Sequence, residues 1–526
     1  MAEEEPPAPA AEAEPADAPK DEGGAEEAKA EDAGPTVEEP AAKNMSCFKF
    51  DSIFMLAWFA SLFITGYIAV AYGYVEVKEK FEEYEEKVEE YDSGASTSVP
   101  SDAIVGCINI AKIFGLCAGF ALVVSFVWVT ILILFGELLV ALLFGAAICL
   151  FVVMGYMAGS FIPGAESTYI GFFFLILALL TLLYYLWVKT RIHFAATCLA
   201  VACKIVMHDP LLFVVALGLL VVTAAYAMLF VVAEVGIYFH LENLDASDGT
   251  ETLCYFVLLC FFFWSVQVFR NINVVTVSGA AAGWWFPSTA LTETGTCTAF
   301  CRAITYNLGA ICFGSLLVAI IQTIAAFFAY LSAKAESTGN KLLAMLMACL
   351  ACIVNCIAAM AEYMNKYAYT YVGIYGYSFA YAGAKVMKLF GNDLATVVNN
   401  DIIVEYLLLF GEVVVAACTC VFGVMFVERG PASWTEGLHP EARAVVGTVA
   451  FFIGYGISGI MMGTVDAANK AVFVLYYENP HTLEQTHPDE HAMLKEAWES
   501  LGKKERETDA AADEQGVLLP KDEEAK

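Results

Sequence analysis

Tyr255, Phe263, Trp264 and Gln267 fall inside one long apolar run, and Trp264 and Gln267, three residues apart, share one face of a helix. Aromatic rings hold cations on their negative faces, each contact contributing about 0.5 to 2 kcal/mol, so this run carries the parts of a cation site. Ser315, Ala319 and Gln322 make a small polar stripe in the next run. Glu412 lies deep inside a later one, where an ionised carboxylate against lipid costs roughly 2.5 kcal/mol or more. It must face protein, either as a cation or proton site or as a protonated, hydrogen-bonded carboxyl. Asn365 precedes a tyrosine-rich stretch with Tyr367, Tyr369, Tyr371, Tyr375, Tyr377 and Tyr381. That stretch reads either as a gate lined by aromatics, with Asn365, Tyr369, Tyr371 and Tyr375 as gate residues, or as a belt of tyrosines at headgroup depth. A packing reading stands beside each site reading, because rings in membrane helices also pack and small residues also let helices approach.

Enzyme chemistry has no comparable set of residues. The seven histidines are spread along the chain without a His-Glu-x-x-His pair, and there is neither a Gly-Lys-Ser phosphate loop nor a nucleophile elbow. The expectation is no catalytic residue, no metal and no cofactor. Cys349, Cys352 and Cys356 share a helical face and Cys297 and Cys301 stand four apart, but without zinc-type spacing the thiols read as small hydrophobes. Asp466 is four residues from Lys470 and can pair with it, and Gly459 and Gly463 suit close helix packing.

The elements that must position these residues follow from composition. The chain is 59% hydrophobic and 16% charged, outside the balance of a water-soluble globule. Its net charge of -31 comes from acids crowded at the two ends and near Glu76 to Asp92, and so acidic a chain does not bind nucleic acid. A bilayer core needs about 20 apolar residues per helix. Stretches at 52–75, 113–135, 138–158, 167–188, 211–233, 253–274, 308–331, 342–364, 402–427 and 445–465 meet or approach that length, the second and third joined only by Gly136 and Glu137 as a tight hairpin. The fold expected is all-α and polytopic, with about ten transmembrane helices. Residues 1–45 read as a disordered acidic tail with no cleaved signal, 46–478 as a membrane transport domain and 479–526 as an acidic cytoplasmic tail. Lys and Arg concentrate in alternate short connections, among them Lys204, Arg302, Lys366 and Lys385, which puts both termini in the cytoplasm. Two amphipathic elements stand beside the spans. Val77, Phe81, Tyr84, Val88 and Tyr91 stripe a helical extension of the first span, and Arg191 to Met207 should lie along the inner membrane surface, with Asp209 and Pro210 starting the next helix.

Three stretches carry a family resemblance. They are SGAAAGWWF (Ser278 to Phe286) with NLGAICFGSLLVAIIQ (Asn307 to Gln322), NKYAYTYVGIYGYSFAYAGAKVMKLFGN (Asn365 to Asn392), and YGISGIMMGTVDAANKAVFVLYYENP (Tyr455 to Pro480). Together they resemble the choline transporter-like family, solute carrier family 44. The resemblance implies ten spans, cytoplasmic termini, a place in the plasma membrane and transport of choline or a related amine such as ethanolamine. The chain departs from the family in a short, acidic first outer loop and in Glu412, where Lys is expected. The resulting expectation is a carrier that binds a small organic cation through Trp264, Phe263, Gln267, Tyr255, Ser315, Gln322 and Glu412 and works by alternating access. Membrane potential or proton exchange would drive it. The alternatives are a scaffold or lipid-handling protein, or a channel, of the same fold.

Overall fold

A computed structural model describes residues 51–75, 78–79, 82, 101–161, 165–244, 247–287, 295–431, 434 and 442–514. The chain divides into Met1–Glu38 and Glu39–Lys526, and every described residue belongs to the second unit. The acidic N-terminal tail, most of the acidic first loop and the stripe from Val77 to Tyr91 lie outside the described residues.

Among the described residues every regular element is helical: α1 (Ser52–Ile68, continued by a π turn at Ala69–Gly73), α2 (Ser101–Phe161), α3 (Ala165–His208), α4 (Leu211–Asn243), α5 (Asp248–Trp285), α6 (Thr296–Ile304), α7 (Leu308–Ser337), α8 (Lys341–Tyr375), α9 (Phe379–Arg429), α10 (Ala442–Glu478), α11 (Pro480–Thr486) and α12 (Pro488–Glu514). Among the described residues, ten helical stretches are long and apolar enough to cross a bilayer. Their outer faces carry large apolar side chains in the open, such as Phe63 at 74% and Met228 at 73% exposure. Water does not solvate such a surface, whereas lipid does, and a helix keeps its backbone hydrogen bonds internal there. The protein is an integral membrane protein.

The joint expected at Gly136 and Glu137 is a break at the neighbouring residue. Phe135 leaves helical geometry at φ −131°, ψ 15°. A straight helix of 61 residues would run about 90 Å, three bilayer cores, so the break divides α2 into two arms, each of membrane length.

Arg191–His208 departs from expectation. Its apolar window is 72% buried inside the protein, against 11% for Tyr169–Lys189 just before it in the same helix. It does not present an apolar face to the membrane surface, because α10 and α12 cover it: Phe194 meets the rings of Phe473, Tyr476 and Trp498. Cys198, Leu199, Val201, Ala202 and Cys203 are all fully buried, which makes the helix apolar all round, and such a helix is stable only when enclosed.

The enclosure belongs to a packed layer at one end of the bundle. Helices α5, α8 and α10 outrun a bilayer span, and their prolongations at 275–285, 367–375 and 467–476 are almost wholly buried. Tyr367, Tyr369, Tyr371 and Tyr375 are each at most 1% exposed, so they do not form a belt facing headgroups. They sit inside this layer, where their ring area fills the contacts between helices. Two carboxylates fix its edge. Asp209 accepts from Leu211 N–H at 3.3 Å and, with its other oxygen, from Thr296 N–H at 3.1 Å and the Thr296 hydroxyl at 2.5 Å. It thereby satisfies free amides at the starts of both α4 and α6. Asp51 accepts from the N–H of Phe379 at 2.9 Å where α9 begins.

Candidate functional site

A cavity of about 470 Å³ lies between α4, α5, α8 and α10. Its α10 wall is built from residues that withhold side chains: a Cβ at Gly456 or Gly463 would meet nothing within 4 Å, and one at Gly459 would meet only the Glu412 carboxyl at 3.8 Å. The Gly459 and Gly463 pair therefore borders open space instead of making a tight helix crossing. The tight crossing falls at Gly454, where a Cβ would stand 2.7 Å from the Thr419 hydroxyl and 2.9 Å from the Ala416 backbone. Opposite, α5 supplies the Phe269 ring and Asn273, whose Oδ1 is buried without a hydrogen-bond partner, and α4 supplies Leu219 and Thr223. Tyr455 provides a second ring.

Charge gathers at one end of this cavity. Lys470, 1% exposed, contacts Asp466 one helical turn earlier and stands 3.9 Å from Asp401 Oδ2 and 3.9 Å from Glu405 Oε1. The pairing of Asp466 with Lys470 is the one the spacing allowed. Lys366 reaches Glu405 at 3.6 Å, Arg270 pairs with Glu362, and the Tyr367 hydroxyl bridges both oxygens of Asp401 at 2.9 Å. Buried ions persist only when partners offset their lost hydration, and this network supplies them. Four carboxylates face three bases, so with all seven ionised the cluster has an excess of one negative charge. Glu412 stands just behind the wall, its carboxyl facing Gly459.

Apart from Glu412, the expected site residues fall into two places. One is a polar seam binding α5, α7 and α8. Trp264 Nε1–H donates to the Cys312 carbonyl at 2.9 Å, Asn271 Nδ2 donates to Ser315 Oγ at 3.0 Å, and the hydroxyls of Ser315 and Tyr369 are 3.2 Å apart. Asn365 Nδ2 donates to the Gly314 carbonyl at 3.1 Å. The Tyr371 hydroxyl donates to Glu478 at 2.9 Å, and Asn479 Nδ2 donates to the Tyr375 oxygen at 2.7 Å, so these two rings tie α8 to the end of α10. Gln267 is buried, Gln322 is half-buried, and Phe263 packs half-buried on the core. The other place is a second cavity lined by Tyr255, at the opposite end of α5. Phe269, Asn273 and Asp401 were not singled out by the sequence reading. Asp401 had a visible signal, an acid at the start of a span, directly after Asn399 and Asn400. Among the described residues no group of three or more His, Cys, Asp or Glu could hold a metal ion.

Every residue lining the first cavity, from Ala216 to Lys470, lies within a segment, 172–481, that matches the profile of the plasma-membrane choline transporter. That segment is more than half of the 526-residue chain. The chain belongs to the plasma-membrane choline transporter family. Among its relatives are a protein called PNS1 from Mycosarcoma maydis, 27% identical over 406 residues that make 74% of this chain and 74% of the relative. A CTL-like protein from Dictyostelium discoideum is 26% identical over 387 residues, 72% of this chain and 65% of its own length. A second CTL-like protein of that organism is 25% identical over 404 residues, 70% of each chain. The match to the choline transporter family begins inside α3 and ends at the start of α11, so the charged cluster and the polar seam belong to the shared part while α1 and α2 precede it.

Proposed function

We propose that the protein is a carrier for a small organic cation, choline or a related amine such as ethanolamine, which binds in the cavity between α4, α5, α8 and α10. The observation that carries this reading is the pairing of two rings, Phe269 and Tyr455, with the Asp466 carboxylate in a space of about 470 Å³, whose lining bases Arg270, Lys366 and Lys470 are each already paired with a carboxylate. That volume falls within the range of about 300 to 1,000 Å³ common for small-molecule sites. A quaternary ammonium has no proton to donate, so ring faces and a nearby carboxylate are the groups that recognise it. Asp466 is the carboxylate closest to the lumen, and Asn273 Oδ1 is free to meet a hydroxyl.

In this reading the seam made by Trp264, Asn271, Ser315, Asn365 and Tyr369 holds α5, α7 and α8 as one body. The end bearing Lys366, Lys470 and Arg302 faces the cytoplasm, both termini lie on that side, and the membrane is the plasma membrane. One positive charge entering down a membrane potential gains about 2.3 kcal/mol per 100 mV, which needs no ATP site. Glu412, reached through Tyr455, offers a proton route as a second driving term.

Uptake of radiolabelled choline into vesicles holding the purified chain tests the reading. Saturable uptake that weakens in Phe269→Ala supports the carrier, linear flux supports a channel, and absence of flux supports a scaffold. Trp264→Phe, which changes the seam, should leave the choline affinity in place. A Glu412→Gln variant with an unchanged rate and pH profile would remove the proton route.

A further inference from the structure

The second cavity, also about 470 Å³, lies where α4, α5 and α7 meet, at the end of α5 away from Lys470. It is in line with the first. On α5, Thr252, Tyr255, Phe256 and Leu259 line it, and the lining of the first cavity resumes at Val266 and continues through Phe269 and Arg270. The step from Leu259 to Val266 is nearly two full turns of 3.6 residues, so one face of α5 serves both cavities. On α4 the step from Thr223 to Glu234 is close to three turns, with the same result.

Between the cavities this shared face is filled with rings. Phe230 stacks on Phe262 with centroids 4.4 Å apart, Tyr226 lies 6.4 Å from Phe262, and Tyr226 lies 5.9 Å from Phe269, which lines the first cavity. The second cavity also holds a cation against a ring already: Lys334 Nζ stands 5.8 Å from the Tyr330 centroid. Glu234, Asp248 and Glu251 line the same space, and among the described residues none of the three closes an ion pair.

We propose that this cavity is a second organic-cation site, which receives the ammonium group on Tyr330 and Tyr255 beside Glu251 and Glu234, with the Lys334 ammonium as a built-in competitor and Phe262 as the barrier between the two sites. The inference rests on the carrier reading above and adds to it. A free organic ammonium and Lys334 compete for the same ring face, so removing the lysine charge tightens the site and removing a carboxylate weakens it.

Equilibrium binding of radiolabelled choline to the full chain in detergent decides the matter. Wild type should bind two choline molecules per chain with different affinities. Lys334→Gln should tighten the weaker site by about threefold, and Glu251→Gln should weaken it by about fivefold while the other site stays unchanged. Wild type binding a single choline, or two with neither variant moving either constant, overturns the second site and leaves the carrier reading standing. Wild type binding no choline overturns both. Lys334→Gln, an exposed position, keeps the test open should Glu251→Gln fail to fold.

Discussion

Lys470 on α10 and Asp401 on α9 meet with Nζ 3.9 Å from Oδ2, at 1% and 2% side-chain exposure. Neither could be buried alone, because an unpaired charge removed from water costs several kcal/mol. Lys470→Ala is therefore expected to destabilise the protein by about 3 to 5 kcal/mol, since it strands Asp401 beside Asp466. The double variant Lys470→Met with Asp401→Asn should recover much of that loss. Thermal unfolding in detergent reads both, and equal melting temperatures for wild type and Lys470→Ala would mean that the pair contributes nothing to the fold.

A backbone crossing between α1 and α4 gives a second prediction. A Cβ at Gly236 would stand 2.3 Å from the Gly73 amide nitrogen, and one at Gly73 would stand 2.2 Å from the Val232 carbonyl oxygen. Backbone cannot yield to a methyl as a flexible side chain can. Gly236→Ala and Gly73→Ala should each cost about 1 to 3 kcal/mol by overpacking, and the double variant should cost less than their sum, since one separation relieves both. Gly218→Ala, where a Cβ would meet nothing within 4 Å, serves as the silent control in the same melts.

Asp209 joins two helix starts, and the third prediction concerns its two oxygens. Asp209→Ala releases the amides of Leu211 and Thr296 together, so the loss should exceed the roughly 1 kcal/mol of a single cap. Asp209→Asn keeps an acceptor for one of them and should fall between. Hydrogen exchange in the first turns of α4 and α6 checks this; faster exchange in only one helix would show that the two starts are not shared.

How much of this could be read from residues alone depends on what surrounds each helix. Lengths of apolar runs betray a bilayer because its thickness is fixed, and Gly136 with Glu137 marked the break at Phe135 to within one residue. Hydropathy cannot tell an apolar face bathed in lipid from one enclosed by protein. That is why Arg191 to Met207 reads as lying on the membrane surface, and why a headgroup belt stands beside the gate reading for the tyrosines from Tyr367 to Tyr375, although both stretches lie in a packed layer. The apolar run ends near residue 465, which leaves Lys470 outside the expected span, whereas α10 runs on to Glu478 and carries Lys470 to within 3.9 Å of Asp401. The seam from Trp264 to Cys312 was hidden for another reason: its acceptor is a backbone carbonyl, which no side-chain pattern announces.

The last prediction concerns pH and the helices after the spans. His487 stacks on Trp284 with centroids 3.6 Å apart, and Glu490 accepts from Lys204 at 3.0 Å, so α11 and α12 dock on α3 and α5 through two titratable groups. Burial, helped by the charge of His208 and opposed by Glu490, holds the His487 pKa below its ordinary 6.5. Burial alone would raise the Glu490 carboxyl, but the Lys204 hydrogen bond and charge, with His487, outweigh it and hold it below 4.5. Both folded pKa values are depressed, so for both groups the detached state binds protons more readily. Docking strength is then complete above pH 6.5, declines as pH falls through and below that value as His487 charges, and declines again below pH 4.5 as Glu490 is neutralised. Acidification should speed hydrogen exchange in α12 and alter Trp284 fluorescence in two steps. His487→Phe, which keeps a ring on Trp284 without a titrating nitrogen, should abolish the upper step alone, and Lys204→Met should weaken the docking that precedes the lower one; an upper step that survives His487→Phe would assign it to another group.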